Sequence, residues 1–141
     1  MATNKILLKG TGIQKEAVAA GTITPGMLVE LTSAGKVQAQ STAAASSVQR
    51  AFATENSLEG NTISDDYSAN DTTFYEVVGP GVEVYAFLEA GENVAIGAFL
   101  EAADAGALQA VSTGKPIAVA LEAVDNSASG STDTRIKVAI V

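Results

Sequence analysis

The chain has 141 residues, enough for one domain or two very small ones. It contains no Cys and no His, which excludes disulfides, thiolate metal sites and every nucleophile arrangement built on an imidazole; any metal would have to be held by oxygen. A net charge of −8 argues against phosphate contact and hence against nucleic-acid binding, and with seven aromatics and no Trp the core is expected to be built from small aliphatic side chains.

Lys5, Lys9 and Lys15 precede the first acid, Glu16, and from there on the chain holds sixteen acids against five bases. Residues 1–15 therefore read as a short basic N-terminal arm and 16–141 as an acidic body forming a single β domain. Three such lysines can be merely solvated or can lie against an acidic partner. Within the arm, ILLK (6–9) reads as an edge strand able to pair within the chain or with a neighbour. The apolar start is too short for a secretory signal, and no apolar run approaches the ~18–20 residues of a membrane span. The expectation is a soluble protein made in a cytoplasm. Gly10-Thr11-Gly12 lacks the third glycine and the βαβ context of a dinucleotide motif, so it reads as a turn.

GMLVELTSAGKVQA (26–39) is echoed by GAFLEAADAGALQA (97–110). Taken alone, the second copy has the Ala, Leu and Glu content of a helix. The first carries Val and Thr and follows Thr24-Pro25-Gly26, so it reads as strand, turn, strand. If the copies share a fold, both are hairpins, turning at Ser33-Ala34-Gly35 and Asp104-Ala105-Gly106. Glu30 then alternates with Val29 and Leu31 and points away from their face.

QSTAAASSVQ (40–49), NSLEGNTISDDYSAND (56–71) and NSASGSTD (126–133) read as exposed polar loops. Gly79-Pro80-Gly81 suits a type II turn that would join FYEVV to VEVYAFL (82–88) as a hairpin. In RIKVAIV (135–141), Ile136, Val138 and Ile140 share one face and Arg135 and Lys137 the other.

Further landmarks recur in the same order. Gly10-Thr11-Gly12 matches Gly79-Pro80-Gly81, Ala20-Gly21 matches Ala90-Gly91, and Ile23 matches Val94. Phe52-Ala53-Thr54-Glu55 resembles Val119-Ala120-Leu121-Glu122, and Asp71-Thr72-Thr73-Phe74 resembles Asp133-Thr134-Arg135-Ile136. The chain thus divides into pseudo-repeats of about 10–78 and 79–141, expected to be related by a rough twofold. The predicted fold is all-β: a compact barrel or sandwich of many short strands built from two pseudo-repeats, with an extended N-terminal arm.

Candidate chemistry is sparse. Gly114-Lys115 lacks the remaining signature of a phosphate loop and reads as a turn before Pro116. Glu30 and Glu101 occupy equivalent places, and a carboxylate pair is what glycosidase chemistry needs, yet an exposed symmetric pair needs no catalytic reason. Asp65, Asp66, Asn70 and Asp71 offer the hard oxygens that Ca²⁺ takes, but their spacing departs from the calcium-loop pattern, and turns favour these residues anyway. No catalytic residue, metal site or cofactor is expected.

With these landmarks in view, MATNKILLKGTGIQKEAVAAGTITPGMLVELTSAGKVQA resembles the beginnings of small head decoration proteins of tailed bacteriophages. FLEAADAGAL, VALEAVDNS and the closing RIKVAIV resemble that family too. The resemblance spans nearly the whole chain, carried by glycine-spaced strands. It implies a non-enzymatic, β-rich cement protein, often a homotrimer, bound to the major capsid protein on the outer surface of the virion and reinforcing the expanded shell. It implies no membrane and no nucleic-acid partner. On this reading residues 1–15 contact the shell: Ile6, Leu7 and Leu8 add a strand to an exposed edge, with Lys5, Lys9 and Lys15 beside acidic groups. The alternatives are a head-fibre or tail-tube subunit, a carbohydrate-binding β module weakened by the lack of Trp, and a carboxylate hydrolase using Glu30 and Glu101.

Overall fold

The structure, a computed structural model, describes residues 4–141. The first three residues of the expected arm lie outside the described residues. The described chain is all-β apart from one 3-10 turn at Ser57–Glu59. The first half contains β1 (Leu7–Lys9), β2 (Ile13–Val18), β3 (Val29–Leu31), β4 (Val37–Ala39), β5 (Ala51–Ala53) and β6 (Thr72–Val77). The second contains β7 (Glu83–Leu88), β8 (Asn93–Val94), β9 (Phe99–Ala102), β10 (Leu108–Ala110), β11 (Ala118–Ala120), β12 (Val124–Asp125) and β13 (Thr134–Ile140).

In the second half β7, β10, β9, β11 and β13 pair in that order, and β13 returns to β7 to close a five-stranded barrel. The first half follows the same circuit more loosely. β2, β6 and β5 form one ladder and β3 and β4 another. Single bridges, Leu28 to Phe52 and a parallel one from Ala19 to Val37, complete the ring. The parallel step recurs in the second half at Leu108 and Leu88. Backbone hydrogen bonds recur as well. Gly26 N–H donates to Ala53 O as Gly97 N–H does to Ala120 O, and Val78 N–H to Arg50 O as Val141 N–H does to Ile117 O. The pseudo-repeat is therefore a repeat of pairing, not only of residues.

Strand alternation builds each interior. Along β13, Ile136, Val138 and Ile140 are buried while Lys137 is exposed. Each such aliphatic side chain contributes roughly 1.5–3 kcal/mol by leaving water. Both copies of the opening motif are hairpins as their likeness predicts, with Glu30 opposite Gln38 and Glu101 opposite Gln109. Gly35 (φ 78°) and Gly106 (φ 80°) sit at the turns, where only glycine takes a positive φ without cost. Packing on both sides overrides the helical bias of FLEAADAGALQA: Leu100, Glu101, Ala102, Ala103 and Leu108 are all fully buried.

Three expectations need correction. The Gly79–Val82 turn forms, with Val82 N–H donating to Gly79 O, but it does not make a hairpin. β6 pairs with β2 and β5, whereas β7 pairs with β1, β10 and β13, so the turn is the crossover between the two rings. The match of Asp71-Thr72-Thr73-Phe74 to Asp133-Thr134-Arg135-Ile136 is one residue out. Thr73 and Tyr75 face inward, as do Ile136 and Val138, and a one-residue slip exchanges faces. The halves are also not related by a twofold at their contact, because they meet through different faces.

That contact fixes where the core lies. The smaller apolar cluster, including Ile23, Val29, Val37 and Tyr75, fills the first ring. The larger fills the second ring and continues into the junction, where Ile6, Leu28, Phe52, Ile63 and Val78 of the first half pack against it.

Candidate interaction surfaces

The N-terminal segment lies on the body. β1 pairs antiparallel with the edge of β7, placing Leu7 opposite Val84 and Lys9 opposite Glu83. Ile6 is fully buried in the larger core, its O accepting from Tyr85 N–H at 2.7 Å and its N–H donating to Glu55 Oε1 at 3.3 Å. Gly12 N–H donates to Glu76 Oε1 at 3.0 Å, a second tie from the segment to an acid of the body. Leu7 packs on the core, Leu8 is half-buried, and Lys5, Lys9 and Lys15 are exposed. The expected boundary at residue 15 falls inside β2, so residues 13–18 belong to the first ring. The ILLK strand pairs within the chain, leaving Lys9 exposed and Leu8 half-buried.

Glu30 and Glu101 are each the centre of the same cluster. Gln38 Nε2 donates to Glu30 Oε1 at 3.0 Å and Ser41 Oγ at 2.7 Å. Gln109 Nε2 donates to Glu101 Oε1 at 2.7 Å and Ser112 Oγ at 2.8 Å. Backbone donors complete both: Ser41 N–H in the first, Gly114 N–H in the second. Burial works to raise both carboxyls, but the hydrogen bonds outweigh it and hold both below the usual glutamate value. Each carboxylate ties a hairpin to the loop that follows it. Glu101 is fully buried rather than exposed, while Glu30 is half-buried. The serines, at the same 71-residue offset as the glutamates, were the available signal for this cluster.

The acidic loop spends its carboxylates locally. Asp65 Oδ2 accepts from Thr62 N–H at 2.7 Å, and Asp71 Oδ2 from Ser68 N–H at 2.9 Å. Among the described residues no three acidic side chains converge as a metal site would require. An open cleft of about 310 Å³ lies beside this loop, lined by Asn56, Asp66, Tyr67 and Phe74 among others. The Tyr67 hydroxyl is already engaged, donating to Thr54 O at 2.7 Å.

Arg135 spans the two halves. Its Nη1 donates to Pro25 O at 2.6 Å and its Nη2 to Ile63 O at 2.8 Å, with the guanidinium 4.2 Å from the Phe87 ring centroid. Burial pushes its pKa below the usual arginine value. Gly26 makes this approach possible, since a Cβ there would lie 2.2 Å from Nη1.

The junction itself joins unlike surfaces. The outer row of the first ring, Gln40, Leu28 and Phe52, is buried, and its Leu28 and Gln40 are bonded to the turn of the second ring's hairpin. Leu28 N–H donates to Gly106 O at 2.9 Å, Gly106 N–H to Gln40 O at 3.0 Å, and Ala44 N–H to Ala102 O at 2.8 Å. The matching row of the second ring is Val111, Phe99 and Val119, and Phe99 is 55% exposed. The matching turn of the first ring, Thr32 to Lys36, is also open, and Leu31 beside it is 53% exposed.

No helix among the described residues is long and apolar enough to cross a membrane. Comparison with protein-family models and with curated proteins gives no match to this chain.

Proposed function

We propose that this is a capsid decoration protein, a non-enzymatic cement that binds the outside of an expanded bacteriophage head and stabilises it. The observation that carries the reading is the resemblance of the N-terminal segment and of the closing strands to that family. The duplicated all-β scaffold agrees with it, as does the engagement of Glu30 and Glu101 in structural clusters. The partner is the major capsid protein, and the protein acts as a homotrimer on the virion surface. A ligand that binds only the expanded shell stabilises that state by linkage, and many copies acting together offset the weakness of each contact.

The contact assigned to the N-terminal segment narrows to side chains that face outward. Lys5, Lys9 and Lys15 meet acidic shell groups, with half-buried Leu8 beside them. Ile6 and Leu7 hold the segment to its own body and are not the shell-binding groups.

Co-sedimentation with purified procapsids and with expanded capsids tests this. The wild type is expected to bind the expanded form alone. The Lys5→Glu, Lys9→Glu, Lys15→Glu triple variant is expected to lose occupancy while keeping its fold. Binding to neither form, or equal binding to both, would sink the reading. Charge reversal is preferable to deleting residues 2–15, because deletion removes β1 and half of β2.

A further inference from the structure

The junction inside the molecule leaves both of its own surfaces repeated and unused outside it. The first ring gives its outer row to the second ring's turn. The second ring has the same row, and the first ring has the same turn, each without a mate among the described residues. We propose that copies of this chain associate head to tail, the Thr32–Lys36 turn of one molecule docking on the Val111–Phe99–Val119 row of the next.

The two unused surfaces fit this use by their chemistry. In the internal junction the row's two apolar members are fully sealed: Leu28 and Phe52 have no exposed surface. Its external counterpart is apolar throughout, with Phe99 at its centre and exposed Ile96 and Leu121 on flanking segments. A lone exposed apolar residue is unremarkable, but a contiguous row on one sheet face marks a contact surface. In the internal junction Gly106 is packed so closely that a Cβ would lie 2.9 Å from Met27 Cβ. Gly35, at the same place in the first ring with the same positive φ, has nothing within 4 Å of that position. Leu31 stands where Ala102 stands in the internal turn, so the open turn carries a larger apolar side chain to the contact.

A contact between unlike faces propagates. If the rotation from one copy to the next closes, the product is a ring, as a homotrimer would be; otherwise it is a string. A twofold dimer, with row against row, is a different geometry and predicts different variants. The inference stands on the relation between the two halves and holds whether or not a phage shell is the surface the protein decorates. Its test uses the purified protein with no capsid present.

Sedimentation of the full chain is expected to show association that grows with concentration. Phe99→Glu and Leu31→Glu lie at exposed positions and are each expected to weaken it by at least about tenfold, the effect of removing one central contact. Circular dichroism should show both variants folded. Mixing them is the decisive arm. Phe99→Glu keeps a sound turn and Leu31→Glu a sound row, so the mixture should form a 1:1 complex and nothing larger. Because the chain has no Cys, a disulfide trap gives an independent reading. Ala34→Cys protein mixed with Val111→Cys protein should cross-link under mild oxidation far more than either does alone. A wild type that stays monomeric into the millimolar range would overturn the proposal. So would association lost in Phe99→Glu but untouched in Leu31→Glu, which is the signature of row against row.

Discussion

Phe52 in the first ring and Val119 in the second hold the same place on the same strand of the same circuit, yet Phe52 is sealed and Val119 lies half open. The same contrast separates Leu28 from Phe99 and Glu101 from Glu30. Pairing register, turn position and the glutamate cluster are common to both halves, because they follow from strand alternation and glycine turns. Burial is not common to both, because it depends on what each half packs against. Equivalent positions should therefore respond very differently to the same substitution.

The widest gap is expected along the outer row. Phe52→Ala opens a cavity in the larger core and should cost about 3–5 kcal/mol in chemical denaturation. Phe99→Ala removes a side chain that already faces water, and under dilute conditions should fall within about 0.5 kcal/mol of wild type. Equal losses at the two positions would mean that the second ring's row is already covered in the monomer.

A smaller gap is expected at the glutamates. Glu101→Ala empties a fully buried carboxylate site and takes the acceptor from Gly114 N–H, Gln109 and Ser112, and should cost about 2–3 kcal/mol. Glu30→Ala lets water replace the same bonds and should cost under about 1 kcal/mol. Thermal melts of the two variants side by side would show whether burial or the hydrogen-bond pattern sets the effect. The glycines come next. Gly35→Ala introduces strain of about 1 kcal/mol from a positive φ, and Gly106→Ala adds a collision with Met27 and the Leu28 carbonyl to that strain. Matching losses would contradict the packed turn at Gly106.

These contrasts also mark what the sequence could convey. The hairpins were legible because their twins disagree locally: Val29 and Thr32 deny the helix that Ala102 and Ala103 suggest. β13 was legible from alternation alone. What was not legible depends on long-range contact. Nothing near Gly79-Pro80-Gly81 says that the turn leaves one ring and enters another, since turn chemistry is local and pairing is not. Glu101 reads like Glu30 in sequence, and only the first half lying over it seals it. Ile6 sits among lysines and resembles a free arm until Tyr85 and Glu55 are brought to it. The proposed shell contacts at Lys5, Lys9 and Lys15 remain a matter of charge and exposure, which the sequence showed as well as the fold does.

The smallest expected effect is on pH, and its sign differs between Glu89 and the hydrogen-bonded glutamates Glu30 and Glu101. Glu30 and Glu101 are held below the ordinary value of 4.5 by their hydrogen bonds, against the opposing pull of burial. Their stabilisation is complete above that value and is lost as pH falls beneath it, because the unfolded chain takes up protons first. Glu89 is shifted the other way, by burial first and then by neighbouring Asp104, Asp133 and Glu92. The folded state binds its proton more readily than the unfolded one, so stability rises as pH falls through a value above 4.5. Acidification from neutrality should therefore raise the melting temperature slightly before lowering it. Glu89→Gln should flatten the rise and leave the fall, while Glu101→Gln should soften the fall and leave the rise. A melting temperature that drops steadily from neutral pH in all three proteins would show that the cluster around Glu89 is fully relaxed by solvent.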